Sequence, residues 1–241
     1  MTPAAVAFPV WNRPHYLKQV LAAWSEVRGI SDAQLEFHCE PGCDEAVSLC
    51  EAVDFTSRRV VVNKERLGHA WNVFASMNSA FTVSDYVIQA LDDFLPSADL
   101  LELHSWHRQK YAADDTVLAL RSGTDHQQDG GLPAVWRTQL AGALMGFHRR
   151  KWEMLARRWD EGAGNWWMWV NHSWCLPGGL DILAPAVSRA EDIGETGSNA
   201  LPEPWEIMRA RSSFTANPPP QEYREVLGKR ERGFARFVEE Y

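Results

Sequence analysis

Two adjacent carboxylates, Asp92 and Asp93, follow the apolar run Tyr86-Val-Ile-Gln-Ala-Leu91 and precede Phe94-Leu-Pro-Ser-Ala-Asp-Leu-Leu101. The run reads as a strand, and Pro96 with Asp99 marks the start of a helix. In an open α/β sheet, ligands bind in the crevice at the carboxyl ends of the strands, so acids placed there read as ligand-facing. Such a pair suits a hard divalent cation, Mn²⁺ or Mg²⁺, and with it a phosphate. The plainer use of two such acids is to cap the next helix. Arg13, in Trp11-Asn-Arg-Pro14, falls in another strand-to-helix loop aimed at the same crevice. It can give a charge-assisted bond to a phosphate or a base carbonyl; an ordinary surface arginine is the alternative.

The elements that must position these groups repeat as β-then-α units. Ala4 to Val10 is apolar enough for a buried parallel strand, and Asn12 and Pro14 suit the cap and first turn of a helix reaching Gly29. Gln34 to Glu40 alternates as a strand before a helix over Asp44 to Val53. Arg59 to Asn63 and a helix from about His69 to Phe81 form the next unit, and the stretch ending at Asp92 is the fourth strand. Such repetition predicts a mainly parallel, Rossmann-type sheet. There is no GxGxxG after the first strand and no GxxxxGK[ST], so neither a dinucleotide fold nor a P-loop is supported. Farther on, a helix over Ser97 to Tyr111, strands at Thr116 to Arg121, Ala134 to Met145 and Asp181 to Leu183, and a helix over Arg149 to Trp159 are expected. Pro185 to Asn199 reads as loop, and Gln221 to Glu240 as a charged C-terminal helix after Pro218-Pro-Pro220.

With 241 residues, 45% of them hydrophobic, the chain can bury one large core. A net charge of −8 repels nucleic acid unless basic residues cluster. Cys39, Cys43, Cys50 and Cys175 lack CxxC spacing and suit free thiols. No long apolar span is present, so a cytoplasmic chain without membrane contact is expected. His104 and His107 lie three apart on one helix, where a helix face is a plainer reading than a metal. Trp166, Trp167, Trp169 and Trp174 can stack on a sugar or aromatic acceptor, or cover the sheet.

Taken in order, these pieces resemble a GT-A glycosyltransferase of the N-acetylglucosaminyltransferase I type. Trp11-Asn-Arg-Pro stands where that family has an Arg after its first strand, Glu40 where an acid holds the nucleotide base, and Leu91-Asp-Asp93 where it has Glu-Asp-Asp. The segment Pro185-Ala-Val-Ser-Arg-Ala resembles its Ser-Arg loop. The resemblance implies an α/β, GT-A-like domain over 1–217, with a nucleotide-binding half (1–111), an acceptor-side half (112–217) and a C-terminal helical extension (218–241).

It implies transfer of a sugar from a nucleoside diphosphate sugar, a UDP-sugar before others, to a hydroxyl on a protein or glycan, a nucleic-acid acceptor being disfavoured by charge. Asp93 would be the metal ligand and Asp92 would face the ribose or a metal-bound water. Arg13, Glu40, Asn72 and Arg189 would contact the nucleotide. A bacterial or phage setting, in the host cytoplasm, would follow. In the family a general base lies in a Trp-Asp-Asp-Trp segment, but here Trp167 and Met168 replace the acids. Asp160, Glu161 and Asp192 are the candidate bases, with Asp181 and Glu191 behind them. A binding module that has lost catalysis is the alternative.

Overall fold

The structure is a computed structural model, described over residues 4–124, 129–159, 166–195 and 213–230. The first apolar run forms β1 (Ala5–Val10), buried throughout, and Pro14 opens α1 (Pro14–Ser25). Arg13 rather than Asn12 occupies the cap position; its carbonyl accepts the first helical N–H bonds, so no side-chain cap is used. There follow β2 (Gln34–Cys39), α2 (Asp44–Glu51), β3 (Ser57–Val62), α3 (His69–Val83) and β4 (Tyr86–Gln89). The second half contributes β5 (Phe94–Pro96), α4 (Leu100–Lys110), β6 (Val117–Leu120), β7 (Ala134–Thr138), β8 (Met145–His148) and α5 (Arg149–Ala156). Last come α6 (Trp166–Val170), β9 (Asp181–Pro185), β10 (Ala190–Asp192) and β11 (Arg224–Arg230).

Among the described residues one nine-stranded sheet runs β11-β7-β9-β6-β8-β4-β1-β2-β3. The neighbours β4, β1, β2 and β3 are parallel, whereas β8 opposes both β4 and β6. The chain walks outward from β1 to β3 and then crosses back to place β4 on the other side of β1. That reversal makes the gap between β1 and β4 the switch point, where the loops leaving the two strands part and open a crevice. Both halves of the chain share this sheet. A smaller antiparallel pair, β5 with β10, sets Asp192 opposite Phe94.

Alternation along β1 divides the core in two. Val6, Phe8 and Val10 face α1 and α2, where Phe8 meets Trp24 edge-on at 5.6 Å between ring centroids. Ala5 and Ala7 face α3, where larger side chains from Val73, Met77, Trp152 and Trp166 fill the space.

Three expectations are corrected. The C-terminal segment is not helical where it is described: Arg224–Arg230 pairs parallel with β7 as a strand, and residues 231–241 lie outside the described residues. The edge of β7 offers backbone hydrogen-bond partners that a surface helix would leave unused. The expected strand over Ala134 to Met145 is two, β7 and β8, separated by a loop that ends at Leu144, whose φ of 48° turns the chain. The expected loop after Pro185 contains the strand β10. The cysteines are free thiols, as expected, and among the described residues no helix is long and apolar enough to cross a membrane.

His104 and His107, the helical pair of α4, face inward onto Tyr86. The Tyr86 hydroxyl lies 2.8 Å from Nδ1 of each ring, and His104 Nε2 lies 2.8 Å from Ser122 Oγ. Ser122 donates its proton to the Leu144 carbonyl at 2.9 Å, which fixes the remaining protons. His104 must donate from Nε2 to Ser122, accept from Tyr86 at Nδ1, and Tyr86 must accept from His107. Every member is neutral in this chain. A Cβ on Gly146 would overlap the Tyr86 hydroxyl and the His104 ring, so the network requires glycine there.

Burial holds His104 down to about 3, and burial with the neighbouring His148 and His104 holds His107 well below its ordinary value. The unfolded chain therefore takes up the proton first, so this contribution to stability is whole above about pH 6.5 and drains as pH falls toward 3. Urea unfolding from pH 7 to 4.5 is expected to show stability falling with acid. The His104→Gln variant should lose about 1.4 kcal/mol per pH unit of that slope. An unchanged slope would place the proton elsewhere.

Candidate functional site

The site is built where β1 and β4 end. Arg13, leaving β1, reaches across to the acids that follow β4. Its Nη1 donates to Asp93 Oδ2 at 2.5 Å, its Nη2 to Asp92 Oδ1, and its Nε to Asp92 Oδ2 at 3.3 Å. One guanidinium thus spans both carboxylates. Asp92 is buried, and burial pushes its carboxyl up to about 6 although Arg13 pulls it down. Burial also works against the charge on Arg13, but the two carboxylates more than offset it and raise its pKa.

The third carboxylate comes from the small sheet. Asp192 Oδ1 accepts the Gly194 N–H at 2.8 Å, and Ile193 N–H donates to the Asp93 carbonyl at 2.9 Å. An added Cβ at Gly194 would stand 2.6 Å from Asp93 Oδ2 and 3.1 Å from Asp192 Oδ1. Glycine here lets the loop after β10 lie directly against both acids. Among the described residues no three ligand-type side chains converge on one point for a metal. Two hard carboxylates nonetheless fit a Mg²⁺-like ion, which keeps waters and takes further oxygens from substrate phosphates. The cationic Arg13 group seated between them shows that the position accepts positive charge.

Glu40 and Asn72 organise the rim from within. The Glu40 oxygens accept the backbone N–H groups of Leu67 (2.9 Å) and Gly68 (2.7 Å), pinning the loop that enters α3. Asn72 donates to the His38 carbonyl at 2.9 Å and accepts from Asn63 at 2.9 Å, tying the ends of β2 and β3 to α3. Both are buried, so each braces the crevice with its polar atoms already committed.

Arg189, expected at the nucleotide, is instead fully buried. It donates to Asp99 Oδ2 at 2.8 Å and to the carbonyls of Val187 (2.6 Å) and Leu132 (2.8 Å), while Asp99 also accepts from Tyr223 and Ser97. A guanidinium so enclosed is a structural brace. The sequence hid this because the partner, Asp99, is ninety residues away. Trp166 is likewise core rather than an acceptor platform. Trp167 is half-buried and meets Phe94, next to Asp93, edge-on at 6.5 Å. Trp169, also half-buried, packs against Trp159 and Trp174 instead. Met168 is exposed between them. Asp181 is buried and paired with Arg137 at 3.1 Å, which removes it from the crevice. Asp160 and Glu161 lie outside the described residues.

Two residues join the rim that sequence patterns did not single out. Arg66 stacks on Trp11, its guanidinium carbon 3.9 Å from the ring centroid, and bridges the loops after β1 and β3. His69, the exposed first residue of α3, lies within electrostatic reach of Asp93 and Arg13. The one sequence signal for either was position, since both follow a strand end.

No family model matches the sequence, and no curated protein matches it. Among solved structures, S. aureus TarS 1-349 in complex with UDP-GlcNAc aligns with 87% of this chain and 65% of its own, at 12% identity and a TM-score of 0.56. S. aureus TarS 1-349 alone aligns with 65% of this chain and 49% of its own, at 12% identity and a TM-score of 0.49. The complex with UDP aligns with 54% and 38%, at 13% identity and 0.45. This chain therefore spans less than two thirds of each of these structures. The alignment with the UDP-GlcNAc complex establishes the fold as mixed α/β, GT-A-like and Rossmann-type, with a large mostly parallel sheet flanked by helices.

Removing Arg189 as Arg189→Met leaves Asp99 buried without its cation. A loss of about 3 to 5 kcal/mol is expected in chemical denaturation. A surface arginine lost from a ligand site would change stability by less than about 0.5 kcal/mol.

Proposed function

We propose that this chain is a glycosyltransferase that binds a nucleoside diphosphate sugar, preferably a UDP-sugar, in the crevice between β1 and β4 and passes the sugar to a hydroxyl acceptor. The single observation that carries this is the Arg13–Asp92–Asp93 cluster at the switch point of a GT-A-like sheet. The aligned TarS structure is a complex with UDP-GlcNAc, which supports the choice of donor.

Transfer leaves a diphosphate whose charge must be neutralised as the bond from the sugar to phosphate breaks. A bound Mn²⁺ or Mg²⁺ would supply Lewis-acid stabilisation of that charge, with Asp93 as its ligand and Asp92 beside it. Arg13 is the second positive charge at the site, able to hold a phosphate oxygen with two donors. Glu40 and Asn72 keep the loops at the strand ends in register, and we assign them to shaping the nucleotide pocket rather than to direct contact. Of the candidate bases, Asp192 is the carboxylate held beside Asp93. In the proposed transfer it takes the acceptor hydroxyl's proton as the oxygen bonds to the sugar carbon and the diphosphate departs. Trp167, next to Phe94, offers an aromatic face to the acceptor, a protein or glycan. Trp169 belongs to the wall behind it.

One observation favours a second reading. Trp166 to Trp169 carries no acid, and Trp166 is core, so a nucleotide-sugar-binding module without catalysis fits this segment equally. A panel of UDP- and GDP-sugars with Mn²⁺ separates the two. Sugar release is expected, reduced about a hundredfold or more in Asp93→Asn with the melting temperature unchanged. Donor binding without turnover would establish the module instead, and failure of every donor to bind would remove both. Within the enzyme reading, Trp167→Ala is expected to raise the acceptor KM several-fold while leaving donor hydrolysis intact, checked by initial rates at varied acceptor.

A further inference from the structure

Arg13 occupies the place where a cation would sit. Its three guanidinium nitrogens reach both carboxylates, two on Asp92 and one on Asp93. The acids are largely enclosed, with side chains 5% and 14% exposed, whereas the Arg13 side chain keeps 26% exposure and so has an open side. Arg13 also carries the backbone of the first turn of α1, which is independent of where its side chain points. The guanidinium can therefore swing away without unmaking the helix. The ring of Tyr16 lies 6.0 Å from the Arg13 guanidinium carbon, and His69 lies within electrostatic reach.

We infer that Arg13 is a placeholder cation: in the empty site it holds Asp92 and Asp93 closed to a free divalent ion, and it yields them only when a diphosphate draws it outward. This rests on the donor site proposed above and adds an order to its filling. Two positive groups cannot share a single pair of carboxylates at contact distance, because the ion and the guanidinium would repel each other within the site. A diphosphate removes that conflict by giving Arg13 a planar, two-oxygen partner as good as the one it leaves. The ion then enters with the nucleotide, and free metal alone binds weakly. Thermodynamic reciprocity requires the same factor in both directions: whatever nucleotide adds to metal affinity, metal adds to nucleotide affinity.

The test reads metal binding directly. Mn²⁺ is titrated into the nucleotide-free protein and free ion is followed by electron paramagnetic resonance, for wild type, Arg13→Met, Arg13→Lys and Arg13→Met/Asp93→Asn. Thermal melts show which variants are folded. Removing the placeholder is expected to tighten Mn²⁺ by about tenfold, within the usual range of coupling between two sites. Arg13→Lys, with one compact charge that cannot span both acids, should fall between, and the double variant should lose the gain. In wild type, adding UDP should tighten Mn²⁺, and Arg13→Met should shrink that increment by about the same tenfold, the remainder being the phosphate oxygens' own contribution to the ion. Equal Mn²⁺ affinity in wild type and Arg13→Met, or weaker binding in Arg13→Met with Arg13→Lys unchanged, overturns the placeholder. If UDP still binds in that case, the donor site stands and only the order of filling is wrong. If wild type binds neither UDP nor Mn²⁺, the donor site itself falls.

Discussion

Charge that is shut away from water must find a partner, and this constraint shapes the protein around Asp92 and Asp93. Two carboxylates end a buried strand, and one of them lies almost wholly inside. Without a cation their mutual repulsion and lost hydration would oppose folding. Arg13 supplies that cation from the neighbouring strand, and its span of both groups ties the ends of β1 and β4 together. The same logic recurs beside the small β5–β10 sheet. Arg189 and Asp99 are fully buried, and Tyr223, Ser97 and two carbonyls add further hydrogen bonds to them. The first pair is open on one side and the second is closed on all sides. That difference separates a site from a brace.

The sheet explains why the open pair lies where it does. Since β4 inserts on the opposite side of β1 from β2, the loops leaving β1 and β4 diverge above the sheet and leave a crevice. Glu40 and Asn72 stiffen one bank by binding backbone groups of the strand ends and of the loop entering α3. The β5–β10 pair forms the other bank and delivers Asp192 and Gly194 to the acids. Beneath, Tyr86 at the start of β4 is locked by two neutral histidines of α4, so the strand that bears the acids is anchored at its far end. Rigid ends and a loop-built mouth would suit the proposed role of holding a flexible, charged donor in one pose.

Much of this was legible from residue order. The β-α repetition, the buried β1, the acids after β4 and the aim of Arg13 follow from apolar runs and turn residues, which are local signals. The free thiols were legible from cysteine spacing. What misled was also local. The charged C-terminal segment reads as helix by composition, yet it pairs with β7 because an edge of the sheet was available to it. Arg189 sits in a loop with the pattern of a ligand-binding arginine, yet its carboxylate partner lies on a helix far away in sequence. Trp166, Trp167 and Trp169 are near-identical in sequence context, but the helix period sends them to different places: into the core, toward Phe94, and onto Trp159.

The sequence by itself determined the strands and helices from β1 to β4, their parallel succession and the chemical types brought to the strand ends. Those properties depend on neighbours within a few residues. Tertiary structure alone decided which charges meet. It seated Arg13 across both Asp92 and Asp93, withdrew Arg189 into the interior, brought Asp192 beside Asp93 and turned Trp167 toward the mouth. Ion pairing and burial are set by distances between segments far apart along the chain, and those distances exist only once the sheet has closed its crossings.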